Sequence, residues 1–189
     1  VPAVLKYIPA GNEYAYLETP VTKVLVAPYD AKQIYMAQIS NLDKKYDPAI
    51  EPIRALYDEY FGGGMNSIVF QEMRETRGLA YSAWASIMPP SYLKYPYVLR
   101  TQIATQNDKM IDAVTTFNDI INNMPESEAA FKLAKDGLTN RLRTERIIKG
   151  DIIWSYINAQ DLGQNVDPRI KLYNDIQNMS LKDIVDFQK

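Results

Sequence analysis

An α+β fold, a two-layer sandwich with helices covering a mostly antiparallel sheet, is what the hydrophobic periods of this chain predict. Three observations carry that reading. Strand-like segments fall in two groups, near residues 23–39 and 79–105; helical periods occupy the stretch between them and the chain after residue 108; no internal repeat or low-complexity tract breaks the order. With 189 residues, 47% hydrophobic and 23% charged, the composition is that of a folded domain and excludes disordered, collagen-like and coiled-coil classes. The expected organisation is a lead-in over residues 1–20, punctuated by Pro2, Pro9, Gly11 and Pro20, followed by one domain over residues 21–189.

Each element has a local reason. Lys23 to Ala27 is β-branched and apolar, and Ile34 to Ile39 sets Ile34, Met36 and Gln38 against Tyr35, Ala37 and Ile39, so the two read as a hairpin turning near Asp30. Asp47-Pro48 offers a capping carboxylate followed by proline, with Pro52 able to delay the helix start. Ile53, Leu56, Tyr57, Tyr60 and Phe61 then keep helical spacing until Gly62, Gly63 and Gly64, which read as a hinge. A second helix over residues 66–77 turns Val69, Phe70 and Met73 inward and stops at Gly78.

Strands follow at Leu79 to Met88, closed by Pro89-Pro90, and at Tyr97 to Thr105. Met110, Ile111, Val114, Phe117, Ile120, Ile121 and Met124 form one buried helical stripe that ends at Pro125. Ser127 caps the next helix, where Ala130, Ala134, Leu138 and Leu142 stack. Further helices are expected over residues 152–162 and 168–178, and after Ser180, with Ser180 and Asp183 near capping-box spacing. Trp84 and Trp154 are assigned to the core.

Composition also limits the chemistry. Twenty-one Lys and Arg against 23 Asp and Glu leave a net charge of -2, so bulk charge attracts neither nucleic acid nor an anionic membrane. No apolar run is long enough to span a bilayer. The absence of Cys removes disulfides and thiolates, and the absence of His removes the commonest general base and zinc ligand together. No metal is therefore expected on this chain.

The densest local signal is residues 61–86, FGGGMNSIVFQEMRETRGLAYSAWAS: a glycine elbow, an amphipathic helix, a glycine stop and a strand. Arg74 lies in the last helical turn and Tyr81 begins the strand beyond Gly78, so a guanidinium and a phenol can converge on one point. Together they offer several donors to a peptide carbonyl or to the oxyanion formed when it is attacked. On spacing alone, an arginine that favours a helix C-terminus and a tyrosine that packs its ring are the plainer reading. The glycine triplet lacks a following Lys-Ser/Thr and joins two helices, which argues against a phosphate loop.

This stretch resembles the pitrilysin and mitochondrial processing peptidase family, the inverted-motif zinc metallopeptidases. Gly62-Gly63-Gly64-Met65-Asn66-Ser67, Phe70-Gln71-Glu72-Met73-Arg74-Glu75 and Arg77-Gly78-Leu79-Ala80-Tyr81-Ser82 stand in the order of the family's second, non-zinc domain. The resemblance implies a domain that closes over a zinc-bearing homologous domain or subunit to enclose an unfolded peptide. It also implies that Arg74 and Tyr81 hold the substrate carbonyl near the partner's zinc. The H-x-x-E-H motif cannot occur without His, so zinc and the glutamate base are expected in the partner, and this chain alone is expected to be inactive. A final strand seen in relatives is expected to be missing after the last helix. The alternative is a non-catalytic scaffold or assembly subunit of the same fold. A bacterial periplasm or envelope location is a lean taken from the type of relatives.

Smaller features have plainer expectations. Arg141, Arg143, Arg146 and Lys149 are interrupted by Glu145 and read as a solvated face. Tyr92, Tyr95 and Tyr97 could line a peptide channel or simply pack. Asp58 and Glu59, like Glu126 and Glu128, read as exposed helix residues.

Overall fold

The computed structural model describes residues 19–189, so the lead-in expected over residues 1–20 lies almost wholly outside the described residues. The strands are β1 (Gln33–Lys45), β2 (Ser82–Met88) and β3 (Pro96–Gln106). They form one antiparallel sheet in the order β1-β3-β2. Between β1 and β2 lie α1 (Glu51–Phe61) and α2 (Ile68–Phe70), the latter running on as a π-helix over Gln71–Thr76. A 3-10 turn, Asn107–Lys109, leads from β3 into α3 (Met110–Asn122), and α4 (Glu128–Thr144), α5 (Gly150–Asp161), α6 (Pro168–Ile176) and α7 (Leu181–Gln188) follow. This is the α+β sandwich the periods predict.

Helices cover one face of the sheet. Ala83 and Ala85 of β2 and Ile103 of β3 are buried there against Leu56, Phe61, Val69, Met73 and Phe117. On the other face Tyr35, Ile39, Met88 and Arg100 are exposed. The caps read from sequence are present: the Ser127 hydroxyl accepts from the Ala130 N–H, and Ser180 with Asp183 closes a reciprocal capping box.

Several local expectations are corrected. Lys23 to Ala27 forms no strand, and Val24, Leu25 and Val26 are more than 80% exposed. Their β-branched character has no pairing edge to act on, and strand preference without a partner decides little. Pro52 does delay the first helix: Asp47 and Pro48 make a turn, in which Asp47 Oδ1 accepts from the Ala49 N–H, and α1 starts at Glu51. Ile111 points to solvent, because a 13-residue helix buries only the arc carrying Ala113, Phe117 and Ile120. Trp84 is half-buried and Trp154 is 64% exposed, since no residue of α5 is buried.

Asp58 is not an exposed helix residue. Burial raises its pKa to about 6, against the opposing effects of the Ile87 N–H, the Arg54 guanidinium and the Ser86 hydroxyl. Arg54 Nη1 donates to Asp58 Oδ2 at 2.7 Å and to the Ile87 carbonyl at 2.9 Å, while the Ile87 N–H donates to Asp58 Oδ1 at 2.8 Å. One acid–base pair thus takes both backbone groups of a residue on edge strand β2. Tyr97, considered for a channel wall, is likewise buried and donates to Glu51 Oε1 at 2.6 Å.

Two predictions follow from this pairing. Removing the cation in Arg54→Ala leaves a carboxylate in a low-dielectric site and should lower unfolding free energy by about 3 kcal/mol, read from urea titrations at neutral pH. Because the folded-state pKa of Asp58 lies above the unfolded one, the native state binds the extra proton between about pH 4 and 6. Stability from this group is therefore present at low pH and lost as pH rises through about 6. Relative to Asp58→Asn, the wild-type chain should gain about 1 kcal/mol between pH 7 and pH 5. Parallel stability curves for the two proteins would refute the sign.

Candidate functional site

The site is built by one reversal of the chain. The π-helix widens the last turn before Gly78, where φ is +58°, a left-handed conformation that costs glycine nothing. The Met73 carbonyl accepts from the N–H groups of both Leu79 (2.8 Å) and Ala80 (3.2 Å), and the Arg74 carbonyl accepts from the Gly78 N–H at 3.2 Å. Beyond the turn, the Tyr81 N–H donates to the Ala104 carbonyl at 2.8 Å and thereby joins the chain to β3. Thr105, itself buried, donates its hydroxyl to the Leu79 carbonyl at 2.5 Å, and Lys109 Nζ donates to the Gly78 carbonyl at 3.1 Å. The reversal is pinned on both sides.

Arg74 and Tyr81 are brought together by this turn. The guanidinium carbon of Arg74 lies 5.4 Å from the centre of the Tyr81 ring and 5.1 Å from that of Phe70, so the cation sits between two aromatic side chains. Contacts of this kind at exposed positions are worth about 0.5–1 kcal/mol. Arg74 Nε also faces Glu75 Oε1 at 3.6 Å. Neither side chain is consumed by the core: the Arg74 side chain is 45% exposed and Tyr81 is 67% exposed. Both line an open pocket of about 320 Å³ whose wall also includes Gln33, Thr105, Gln106 and Lys109.

The π-turn and the part played by Thr105 and Lys109 were not foreseen from sequence. The five-residue spacing of Glu72 and Arg77, which are bonded at 3.3 Å, fits the i→i+5 repeat of a π-helix. An acid–base pair at that spacing was the available signal. Nothing in the pattern around residue 105 marks a threonine that will bond back across 26 positions.

The three glycines have different surroundings. A Cβ on Gly62 would stand 2.2 Å from the Ala85 carbonyl oxygen, and one on Gly63 2.7 Å from that of Asp58, whereas Gly64 faces open space. Gly62 therefore lets the end of α1 approach the backbone of β2. Among the described residues, no group of three or more Asp or Glu is placed to hold a metal ion, and the chain has no His or Cys. Arg141 pairs with Glu59 at 2.9 Å, while Arg143, Arg146 and Lys149 lie exposed, as a solvated face requires. Among the described residues no helix is long and apolar enough to cross a membrane.

The three segments that carry the peptidase resemblance, residues 62–67, 70–75 and 77–82, thus form one elbow, helix and reversal on a two-layer α+β domain. The family model for the peptidase M16 inactive domain matches residues 19–138, and the chain belongs to that family. No curated protein matches the chain. Among solved structures, the peptidase M16 inactive domain from Pseudomonas fluorescens aligns with a TM-score of 0.66 at 15% identity, covering 84% of this chain and 38% of that one. An inactive peptidase domain from Bordetella parapertussis aligns with a TM-score of 0.60 at 12% identity, over 82% of this chain and 84% of the other. A periplasmic protease from Escherichia coli aligns with a TM-score of 0.61 at 13% identity, over 85% of this chain and 18% of its own. The chain spans under two fifths of the first two structures it matches.

The packing of the glycines makes a direct prediction. Gly62→Ala forces backbone apart and should destabilise the fold by about 3 kcal/mol or prevent folding, whereas Gly64→Ala should change stability by less than about 0.5 kcal/mol. Thermal unfolding of the two variants checks it. Equal melting temperatures would contradict the close approach of α1 and β2.

Proposed function

We propose that this chain is the substrate-binding and chamber-closing domain of a zinc-dependent peptidase, and that Arg74 and Tyr81 bind the carbonyl of the peptide being cleaved. The observation that carries the reading is the convergence of these two side chains at one exposed pocket, held there by a pinned reversal. A guanidinium and a phenol aimed at one point supply charge-assisted and neutral donors, which suits an oxygen that gains negative charge as water attacks. The partner in this reading is a homologous domain, on the same polypeptide or another, that holds zinc and the glutamate base. The metal supplies the activated water; this chain binds and orients the peptide.

Membership in the inactive-domain family supports a non-catalytic half, and the histidine-free sequence agrees with it. The glycine triplet is proposed as a hinge between the two helices it joins, with Gly64 the position that has free space around it. The substrate is proposed to be an unfolded peptide, since a carbonyl must reach a pocket at the end of a sheet. A bacterial envelope location is proposed on the likeness to a periplasmic protease.

In the assembled two-part protein, Arg74→Ala and Tyr81→Phe should each lower turnover of a quenched peptide by about a hundred- to a thousandfold. Apparent affinity for the uncleaved peptide should fall much less. The isolated chain should bind no stoichiometric zinc by metal analysis. Zinc-dependent cleavage unchanged in both variants would overturn the assigned role and favour an assembly subunit.

A further inference from the structure

Lys109 is the one residue with a flexible charged group at the Arg74–Tyr81 pocket that the reading above leaves unused. Among the described residues, the pocket wall holds two cations, Arg74 and Lys109, two amides, Gln33 and Gln106, and the Tyr81 phenol, and no carboxylate. In a chain of net charge -2 this is a local excess of positive charge. Two of the wall's backbone carbonyls are engaged: that of Gly78 takes a hydrogen bond from Lys109, and that of Leu79 takes one from Thr105. The charged groups of the described wall are both cations.

The acidic residues nearby do not cancel it. Glu75 lies beside Arg74 Nε at 3.6 Å, half-exposed, and its pairing is with Arg74 and not with Lys109. Asp108 and Asp112, the neighbours of Lys109 along the chain, are exposed and are absent from the pocket wall. Lys109 makes no ion pair among the described residues, and its bond to the Gly78 carbonyl uses one of its three N–H groups. Two donors and a full charge remain.

We propose that this pocket selects a carboxylate on the bound peptide, either an acidic side chain or a free C-terminus, and that Lys109 is the residue that sets this preference. The proposal rests on the peptide-binding reading of Arg74 and Tyr81. In it those two side chains keep the peptide carbonyl, and Lys109, anchored by the Gly78 carbonyl on the same wall, takes the carboxylate of a neighbouring residue. An uncharged side chain of the same shape would lose the charge-assisted bond and still occupy the pocket.

The test is an NMR titration of the isotope-labelled chain with blocked heptapeptides that differ only by Glu or Gln at the central residue. A second pair carries Gln at the centre and ends in a free carboxylate or an amide, which separates the two sources of the group. One carboxylate peptide should bind about tenfold more tightly than its neutral twin at about 50 mM salt, and the gap should close near 0.5 M. Lys109→Gln should abolish the preference without weakening the neutral peptides, and Lys109→Arg should restore it; the unperturbed spectrum of each variant reports that it is folded. Equal binding within both pairs, or a preference that survives Lys109→Gln, overturns the proposal while leaving the roles of Arg74 and Tyr81 standing. If no peptide shifts the resonances around the pocket, the peptide-binding reading fails and this inference with it.

Discussion

The left-handed turn at Gly78 is the constraint on which the candidate site depends. Arg74 precedes it and Tyr81 follows it, so their separation is set by the turn and not by any contact between them. A residue with a Cβ would be strained at φ +58°. The turn is also over-determined: Met73 receives two backbone N–H groups, Leu79 is bonded by Thr105, and Tyr81 is tied to Ala104. Side chains that must present donors to a transient charge gain from such rigidity, because reorganisation at the moment of reaction would cost part of the stabilisation they provide. The exposed cation–π contacts of Arg74 are too weak to hold the geometry alone, and with the backbone pinned they need only choose a rotamer.

Edge strand β2 is closed by the side chains of α1, with Arg54 and Asp58 meeting the carbonyl and N–H of Ile87 and Gly62 pressed against Ala85. The raised pKa of Asp58 shows that burial costs more than the pair returns to that carboxylate. Burying the pair satisfies an edge residue's backbone groups, which otherwise would need a fourth strand or water. Glu51 widens the arrangement by holding Arg54 on one side and accepting from Tyr97 on the other. Helix and sheet are thus joined by polar groups where their apolar faces run out.

How much of this was legible depends on whether a signal is local. The caps at Ser127 and Ser180 and the glycine reversal are written within a few residues, and they appear where the sequence puts them. The Arg74–Tyr81 pair was legible for the same reason, since only seven positions and one turn separate them. Lys23 to Ala27 and Trp154 mislead because apolar character states what a residue prefers and not whether a partner surface exists. Asp58 fails in the other direction: it bonds to a residue 29 positions away, and Tyr97, which packs as its plainer reading had it, bonds to one 46 positions away, so no window along the chain contains both partners. The bond from Thr105 to Leu79 is hidden for that reason too.

A histidine-free domain in a peptidase family is physically coherent. Activating water needs a metal or a base near neutral pKa, and arginine and tyrosine are poor at either task. Their strengths lie elsewhere: arginine remains charged at any working pH, and a phenol donates without ionising below about pH 10. A domain that contributes only such groups can bind and orient an oxygen over a wide pH range without competing for the proton or for the metal. On the proposed reading, separating the two tasks between two halves would let the metal-free half keep a pocket of donors open to a peptide. A metal-binding cluster of carboxylates beside Arg74 would neutralise that pocket, where the one ion pair of Arg74 among the described residues is the half-exposed contact with Glu75.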